Sequence, residues 1–361
     1  MRILIGNLFD SKAQTLVNTV NCVGVMGKGI ALEFKKRYPE MFKEYQELCS
    51  QNQVIAGQPY YYHDLTSASI INFPTKDNWR SPSKLSYVVS GLDWFVENYE
   101  SLGITSIAFP PLGCGNGGLT WDIVGPIMYQ KLKALPIDIE IYAPFGTPAE
   151  QLKNTFLDRA VPASSDITGI RVGQMRRSWN LLLYIVKELS TNKYSLHVGR
   201  TIFQKICFIA TRNGIDTGFT FVKGSYGPYS AQTKEAITIL SNANLIYEQT
   251  AGHMMKMTVS DSFTFNKSDY SEQELNAAEK TIDLFSRIKN TDQAEMMSTV
   301  VYSYDQLHEK TSEVSDSDVY EYVIDWKPHW KPQKPVICDT IQSMAVLGLI
   351  SIKHDTAFEV F

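Results

Sequence analysis

The chain has 361 residues, enough for two domains, and its 44% apolar and 20% charged content is that of a folded protein rather than a disordered one. The formal net charge of -4 argues against a broadly basic nucleic-acid-binding surface and leaves only a local basic groove open. No apolar run reaches the ~20 residues that cross a bilayer, and the five cysteines (Cys22, Cys49, Cys114, Cys207, Cys338) form no close pairs, which argues against a disulfide framework or a zinc site. Met1–Ile5 runs straight into a strand-like stretch with Asp10 soon after, so no secretory leader is expected and the composition suits a reducing cytosol.

In chain order, residues 1–6 read as a first strand ending at Gly6, and Thr15–Val20 as a second. A loop follows with Asn21, Gly24, Gly27 and Gly29, and then a helix over Lys28–Arg37 with Ile30, Ala31 and Phe34 on one face. Strand, glycine loop and helix together suit an anion: the glycines let bare backbone approach it, and the helix start offers unpaired N–H groups. Pro39 opens a further helix to about Cys49, and Tyr60–His63 and Ser69–Phe73 read as short antiparallel strands across a turn at Asp64–Ser67. Pro74–Pro82 is a polar loop, Ser83–Ser101 a one-faced helix, and Ile104–Phe109 a buried strand. A second glycine loop spans Pro110–Gly118, a helix runs from about Thr120 to Leu135, and Ile137–Tyr142 is the last strand. Alternating strands and helices imply an α/β sheet covered on both faces.

The alternation stops near residue 157, and 158–173, with Pro162, Ser164, Ser165 and Gly169, reads as a linker. Beyond it, Arg177–Leu189 and Val198–Arg212 are helical, Thr220–Lys223 is a short strand, and Gly227-Pro228 starts a helix to about Asn242. Asn244–Met257 forms a hairpin-like wing, so 174–361 is expected to be a mainly α, winged-helix-like domain with more helices after Ser271. Asp305–Asp325 is strongly acidic: either a solvated helix face or a surface that imitates nucleic-acid charge.

The second glycine loop carries Gly113, Gly115, Gly117 and Gly118 between a buried strand and a helix, a backbone nest able to wrap a diphosphate. No Gly-Lys-Ser/Thr closes it, which excludes a Walker loop. Gly113, Gly115 and Gly118 match GxGxxG spacing but fall late in the sheet, where a dinucleotide turn is not expected. Two such loops at strand ends suggest one diphosphate held from both sides; the alternative is a pair of tight turns.

Asn18-Thr19-Val20-Asn21, the Gly24–Ala31 loop and Leu112-Gly113-Cys114-Gly115 resemble the macrodomain family, an ADP-ribose-binding fold with a mixed sheet sandwiched by helices. The stretches 17–42, 73–80 and 110–121 are similar in particular to its antitoxin branch, paired with DNA-modifying ADP-ribosyltransferase toxins of the DarT type. Phe203-Gln204-Lys205 and Tyr226-Gly227-Pro228-Tyr229-Ser230 resemble, less specifically, that branch's toxin-neutralising domain. The resemblance implies a macrodomain over 1–157 that removes ADP-ribose from DNA bases in single-stranded DNA, and a toxin-binding domain over 174–361. It implies Lys76 as the catalytic lysine, a nucleophile acting through a Schiff base if partly neutral, where the residue alone reads as a solvated loop lysine. It implies ADP-ribose lying against Gly6, Asn7 and Leu8; Asn21, Gly24, Val25, Met26, Gly27, Lys28, Gly29 and Ile30; Thr75; Pro111, Leu112, Gly113, Cys114, Gly115, Asn116, Gly117, Gly118 and Leu119; and Phe145.

Several of these positions have a plainer reading beside the implied one. Asn21 hydrogen-bonds the distal ribose or its own turn, Lys28 steers a phosphate or decorates a surface helix, and Phe145 stacks on the purine or is a core aromatic. Gly117 stands where lysine-using eukaryotic relatives carry an acid, and Asn7 where many macrodomains carry an aspartate. No cofactor, metal or membrane is expected. The competing functions are a non-catalytic ADP-ribose reader fused to an interaction or DNA-binding domain, and an NAD- or nucleotide-using enzyme of another class.

Overall fold

A computed structural model of the protein describes residues 1–64, 67–159, 175–191, 196–251 and 254–355. The chain forms two compact units, Met1–Gln174 with Ile237–Asn244, and Met175–Ala236 with Leu245–Phe361.

In the first unit, strands β1 (Arg2–Leu4), β2 (Thr15–Val20), β3 (Tyr60–Tyr62), β4 (Ser69–Pro74), β5 (Ser106–Phe109) and β6 (Asp138–Tyr142) build one sheet in the order β1-β6-β5-β2-β4-β3. Every pairing is parallel except β3 with β4. Its helices are α1 (Gly29–Arg37), α2 (Pro39–Ser50), α3 (Leu85–Asn98), α4 (Trp121–Leu132) and the short α5 (Asn154–Leu157). The period-two alternation of the strands sorts their side chains into two cores. Val17, Ile71 and Phe73 pack with Leu85, Val88 and Leu92 of α3 and with Val124 and Ile127 of α4. Leu16, Val20 and Ile70 pack on the other side with Phe34 of α1 and Met41 and Tyr45 of α2. Each such burial contributes about 1.5–3 kcal/mol. Gly91, inside α3, costs about 1 kcal/mol of helix propensity, and the Phe73 ring fills the space its Cβ would need. Bare helix backbone thus lies flat on the strand that leads into Thr75 and Lys76.

The strands and helices fall within a few residues of those expected in this unit. Lys28, expected inside a helix, is the N-cap of α1, and Pro39 does stand in the first turn of α2. The expected turn at Asp64–Ser67 lies partly outside the described residues. So does most of the expected linker 158–173; its first residue, Asp158, is tied to α4 by Gln130 Nε2 at 2.8 Å and by Lys133.

The second unit is helix-rich: α6 (Trp179–Thr191), α7 (Arg200–Arg212), the first residues of α8 (Ala231–Asn242, which from Ile237 on counts with the first unit), α9 (Glu272–Ser286), α10 (Thr291–His308), α11 (Asp316–Trp326) and α12 (Lys334–Val346). A small hairpin of β7 (Val222–Gly224) with β8 (Gly227–Tyr229) precedes α8, and β9 (Ile246–Ala251) pairs antiparallel with β10 (Met254–Val259) after it. The hairpin expected over Asn244–Met257 is β9 with β10. Gly227-Pro228 does not start a helix, however. Gly227 has φ +82°, Gly227–Tyr229 pair with Val222–Gly224 as β8, and the Gln204 side chain brackets Ser230, accepting from its N–H at 3.1 Å and donating to its carbonyl at 2.9 Å. The helix therefore starts at Ala231.

The acidic stretch 305–325 is neither a uniformly solvated face nor a free anionic one. Asp305 accepts from Arg212 Nε at 2.9 Å on both oxygens, and burial raises its carboxyl above the usual range in spite of that partner. Asp316 is buried, facing His354 Nδ1 at 3.2 Å, and Asp318 closes a capping box with Ser315.

Lys205, expected only as part of a family-like run, is 2% exposed and donates to the Pro228 carbonyl at 3.0 Å. Burial, against the pull of Glu295 and with the push of Lys327, lowers its amine from the 10.5 of a free lysine to about 8. Below pH 8 both folded and unfolded chains hold this proton and the burial cost is fully present. Between about 8 and 10.5 only the unfolded chain holds it, so this group's contribution to stability rises with pH, by about 3 kcal/mol in all. The difference in unfolding free energy between wild type and Lys205→Met is therefore expected to move in favour of wild type from pH 7 to pH 10; a flat difference in urea melts would contradict the assignment.

Candidate functional site

The loops after β1, β2, β4, β5 and β6 all leave from the carboxyl edge of the sheet. β2 and β5 are adjacent and in register at Leu16 and Ala108, but the chain leaving β2 travels toward β4 and the chain leaving β5 toward β6. Strand order reverses there, and the diverging loops open a crevice of the kind in which α/β sheets bind ligands. The two glycine loops are those two loops.

The first loop is held open from within. Asn21 is buried and its Nδ2 donates to the Val25 carbonyl at 2.5 Å, while its Oδ1 accepts from Val23 N at 3.0 Å. Tyr45 donates its hydroxyl to the Asn21 carbonyl at 2.8 Å. The Asn21 side chain is thus bonded to its own turn, its plainer reading. Met26 is buried beneath the loop against Asn18, which donates to Asn72 at 2.8 Å across the β2–β4 pair. Above them Val25, Gly27, Lys28 and Gly29 are exposed, and Gly24 and Ile30 half-buried. Gly24 and Gly29 adopt φ +74° and +61°, where a side chain would be strained. Lys28 makes no side-chain capping bond at the start of α1, so the first-turn N–H groups and the positive end of the helix dipole face the crevice.

The second loop presents backbone over a packed base. Leu112 and Leu119 are core side chains, so what they can offer a ligand is main chain. Gly115 and Asn116 are exposed, Pro111, Cys114 and Gly118 half-buried, and Gly113 and Gly117 buried. A Cβ on Gly117 would run into Ser83 Oγ and the Gly113 carbonyl. That contact explains physically why no acidic side chain stands at this position.

Lys76 joins the two loops. Its Nζ donates to the Asn116 carbonyl at 3.2 Å, and a Cβ on Gly29 would lie 3.0 Å from Asn116 Nδ2. The lysine segment is laced to both sides: Thr75 N donates to Val20 O at 3.1 Å, Cys22 N to Asp77 O at 2.9 Å, and Ser83 N to Gly117 O at 2.8 Å. Asp77 accepts from the Tyr87 hydroxyl at 2.9 Å. Burial, with Asp77 nearby, pushes the Cys22 thiol up to about 12, so it is no nucleophile. Among the described residues no cluster of His, Cys, Asp and Glu could hold a metal ion, and no helix is long and apolar enough to cross a membrane.

Asn7 caps a short 3-10 turn, accepting from Phe9 N at 3.2 Å. Gly6 is half-buried beside it, and Leu8 is a core residue. Phe145 is 79% exposed, which removes its reading as a core aromatic. Of the seven large apolar side chains exposed in the described part of 1–159, five (Ile5, Val23, Val25, Trp79, Phe145) stand on loops of this one edge. Apolar exposure gathered around glycine backbone and cations is the mark of a ligand site. Sequence reasoning missed Ser83 and Tyr45, whose roles depend on contacts across the fold. It also passed over Trp79, which a large aromatic in a polar loop does signal.

A mixed sheet between helices, two glycine loops at its switch point and a lysine between them define a macrodomain, and residues 17–128 match the family model described as Macro domain. A DNA ADP-ribosyl glycohydrolase of Mycobacterium tuberculosis is 35% identical over 251 residues, 66% of this chain and 66% of its own. A DNA ADP-ribosyl transferase–DNA ADP-ribosyl glycohydrolase fusion protein of Thermosipho africanus is 41% identical over 172 residues, 42% of this chain and 44% of that one. Among solved structures, the macrodomain of Mycobacterium tuberculosis DarG is 47% identical, with 39% of this chain and 97% of that chain covered at a TM-score of 0.38. The chain belongs to the DarG family of DNA ADP-ribosyl glycohydrolases. It spans 66% of the length of the Mycobacterium relatives it matches.

Proposed function

We propose that residues 1–157 bind ADP-ribose and hydrolyse it from ADP-ribosylated bases in single-stranded DNA, and that 174–361 bind and neutralise a DarT-like toxin in the cytoplasm. The observation that carries the enzymatic half is the meeting of the two glycine loops at the switch point with the Lys76 amine between them. In this reading the diphosphate lies between the Gly24–Ile30 and Pro111–Leu119 main chains, Gly6–Leu8 and Phe145 take the adenosine end, and Asn21, Thr75 and Lys76 line the distal ribose. Lys76 Nζ adds to the anomeric carbon of the opened distal ribose, and the base nitrogen leaves with the bonding pair and takes a proton. Water then hydrolyses the Schiff base, returning the amine and releasing ADP-ribose. Asn21 acts chiefly by fixing the loop, with its second amide hydrogen left for a ribose hydroxyl.

The toxin-binding half is supported by the family and by a relative named as a transferase–glycohydrolase fusion. Co-expression with such a transferase and capture of the pair is the test; no capture would sink that half alone. For the first half, calorimetry is expected to show ADP-ribose bound more tightly than NAD, and the reverse order would favour an NAD-using enzyme. Phe145→Ala is expected to weaken ADP-ribose about tenfold, from ~1.4 kcal/mol of lost stacking, with no change for ribose 5-phosphate. Equal loss for both ligands would move the purine elsewhere.

A further inference from the structure

Trp79 stands three residues beyond Lys76, in the loop after β4, and is 48% exposed. Its sequence neighbours Asp77, Asn78, Arg80 and Ser81 are all polar. The loop is ordered by its own bonds: Asn78 Oδ1 accepts from Arg80 N at 3.0 Å, and the Asn78 carbonyl accepts from Ser81 N at 3.0 Å. The Arg80 guanidinium lies over the indole, 4.6 Å from a ring centroid. The carboxyl-edge loops carry Lys12, Lys28, Lys76, Arg80, Lys84 and Lys153 against Asp10, Asp77 and Glu150, and the Asp77 carboxylate is engaged by Tyr87. The rim is therefore cationic on a chain whose net charge is -4.

An aromatic face backed by an arginine within a cationic groove is how proteins hold single-stranded nucleic acid: a base stacks on the ring and the guanidinium serves a phosphate. We infer that Trp79 and Arg80 form a subsite for the nucleotide next to the modified one, outside the ADP-ribose cradle. Geometry supports that side. Lys76 attacks the carbon that carries the base, so the strand must leave the crevice past the loop bearing Lys76. Three residues span at most about 11 Å, which keeps the indole within reach of a neighbouring base. The Arg80 cation-π contact lies on one indole face, and 48% of the residue's surface stays exposed.

The inference rests on the glycohydrolase reading, and three measurements keep the two apart. On an ADP-ribosylated single-stranded oligonucleotide, Trp79→Ala is expected to raise KM about tenfold or more with kcat little changed. On an ADP-ribosylated mononucleoside its kcat/KM should equal that of wild type, and Trp79→Phe should keep most of the oligonucleotide affinity. Arg80→Ala should lower the slope of log affinity against log salt by about 1. Binding of an unmodified labelled oligonucleotide, followed by anisotropy, needs no catalysis and should weaken at least tenfold in Trp79→Ala. Unchanged oligonucleotide binding, or an equal loss on the mononucleoside, overturns the subsite. A wild type that releases nothing from either substrate, yet loses oligonucleotide binding on Trp79→Ala, overturns the hydrolase reading and keeps the subsite.

Discussion

Lys76→Ala is expected to lower kcat for ADP-ribose release by about three orders of magnitude or more, ~4 kcal/mol of barrier, while the affinity for free ADP-ribose stays within a few-fold. The split follows from the architecture. The segment holding Lys76 is fixed by main-chain and Thr75–Ser83 bonds that do not involve its amine, and the glycine loops offer backbone that the substitution leaves alone. Loss of rate without loss of affinity is the signature of a group acting in the transition state. Lys76→Arg should fare no better, because a guanidinium stays protonated and cannot add to a carbonyl. Borohydride added during turnover should leave wild type heavier by one reduced ADP-ribosyl group on Lys76, and the variant unlabelled. A variant that releases ADP-ribose at the wild-type rate would reduce this domain to a reader.

The second large effect belongs to the helix-rich unit. Glu295→Gln is expected to destabilise that unit by about 3–5 kcal/mol, the cost of leaving a buried charge uncompensated. Glu295 Oε1 receives Lys327 Nζ at 2.6 Å, and the two side chains are 11% and 3% exposed. Lys327 also donates to the Ser225 carbonyl, and Lys205 lies in the same electrostatic neighbourhood, so two buried ammonium groups rely on one carboxylate. Lys205 and Lys327 both grip the β7–β8 hairpin through its carbonyls, and the hairpin should loosen with them. Adding Lys327→Met to Glu295→Gln should recover part of the loss, since a neutral pair no longer buries an orphan charge. Denaturant melts of the full chain would read this. A Glu295→Gln protein as stable as wild type would mean that water reaches the cluster.

The elements that sequence periodicity found correctly are those whose local signals agree: β2 and α1 around their glycine loop, α2 with its proline in the first turn, and α3 with its apolar stripe. The helix expected from Gly227 failed because pairing with β7 and a long-range bracket from Gln204 hold residues 227–230 extended. The acidic run is solvated at Glu309, Glu313, Glu321 and Asp325, as expected, and departs from that reading at Asp305 and Asp316. Charge spacing along a chain cannot reveal that Arg212 or His354, remote in sequence, supplies the partner.

By itself, the sequence determined the alternation of strands and helices, the two glycine-rich turns and the residue types available for chemistry, since propensity, turn chemistry and side-chain reactivity are local. Only the tertiary structure decided that the two turns face one crevice, that Asn21 is occupied by its own loop, that Gly117 has no room for an acid, and that Phe145 lies in the open. Those facts depend on strand order and on which surfaces pack together, which no local stretch of chain encodes.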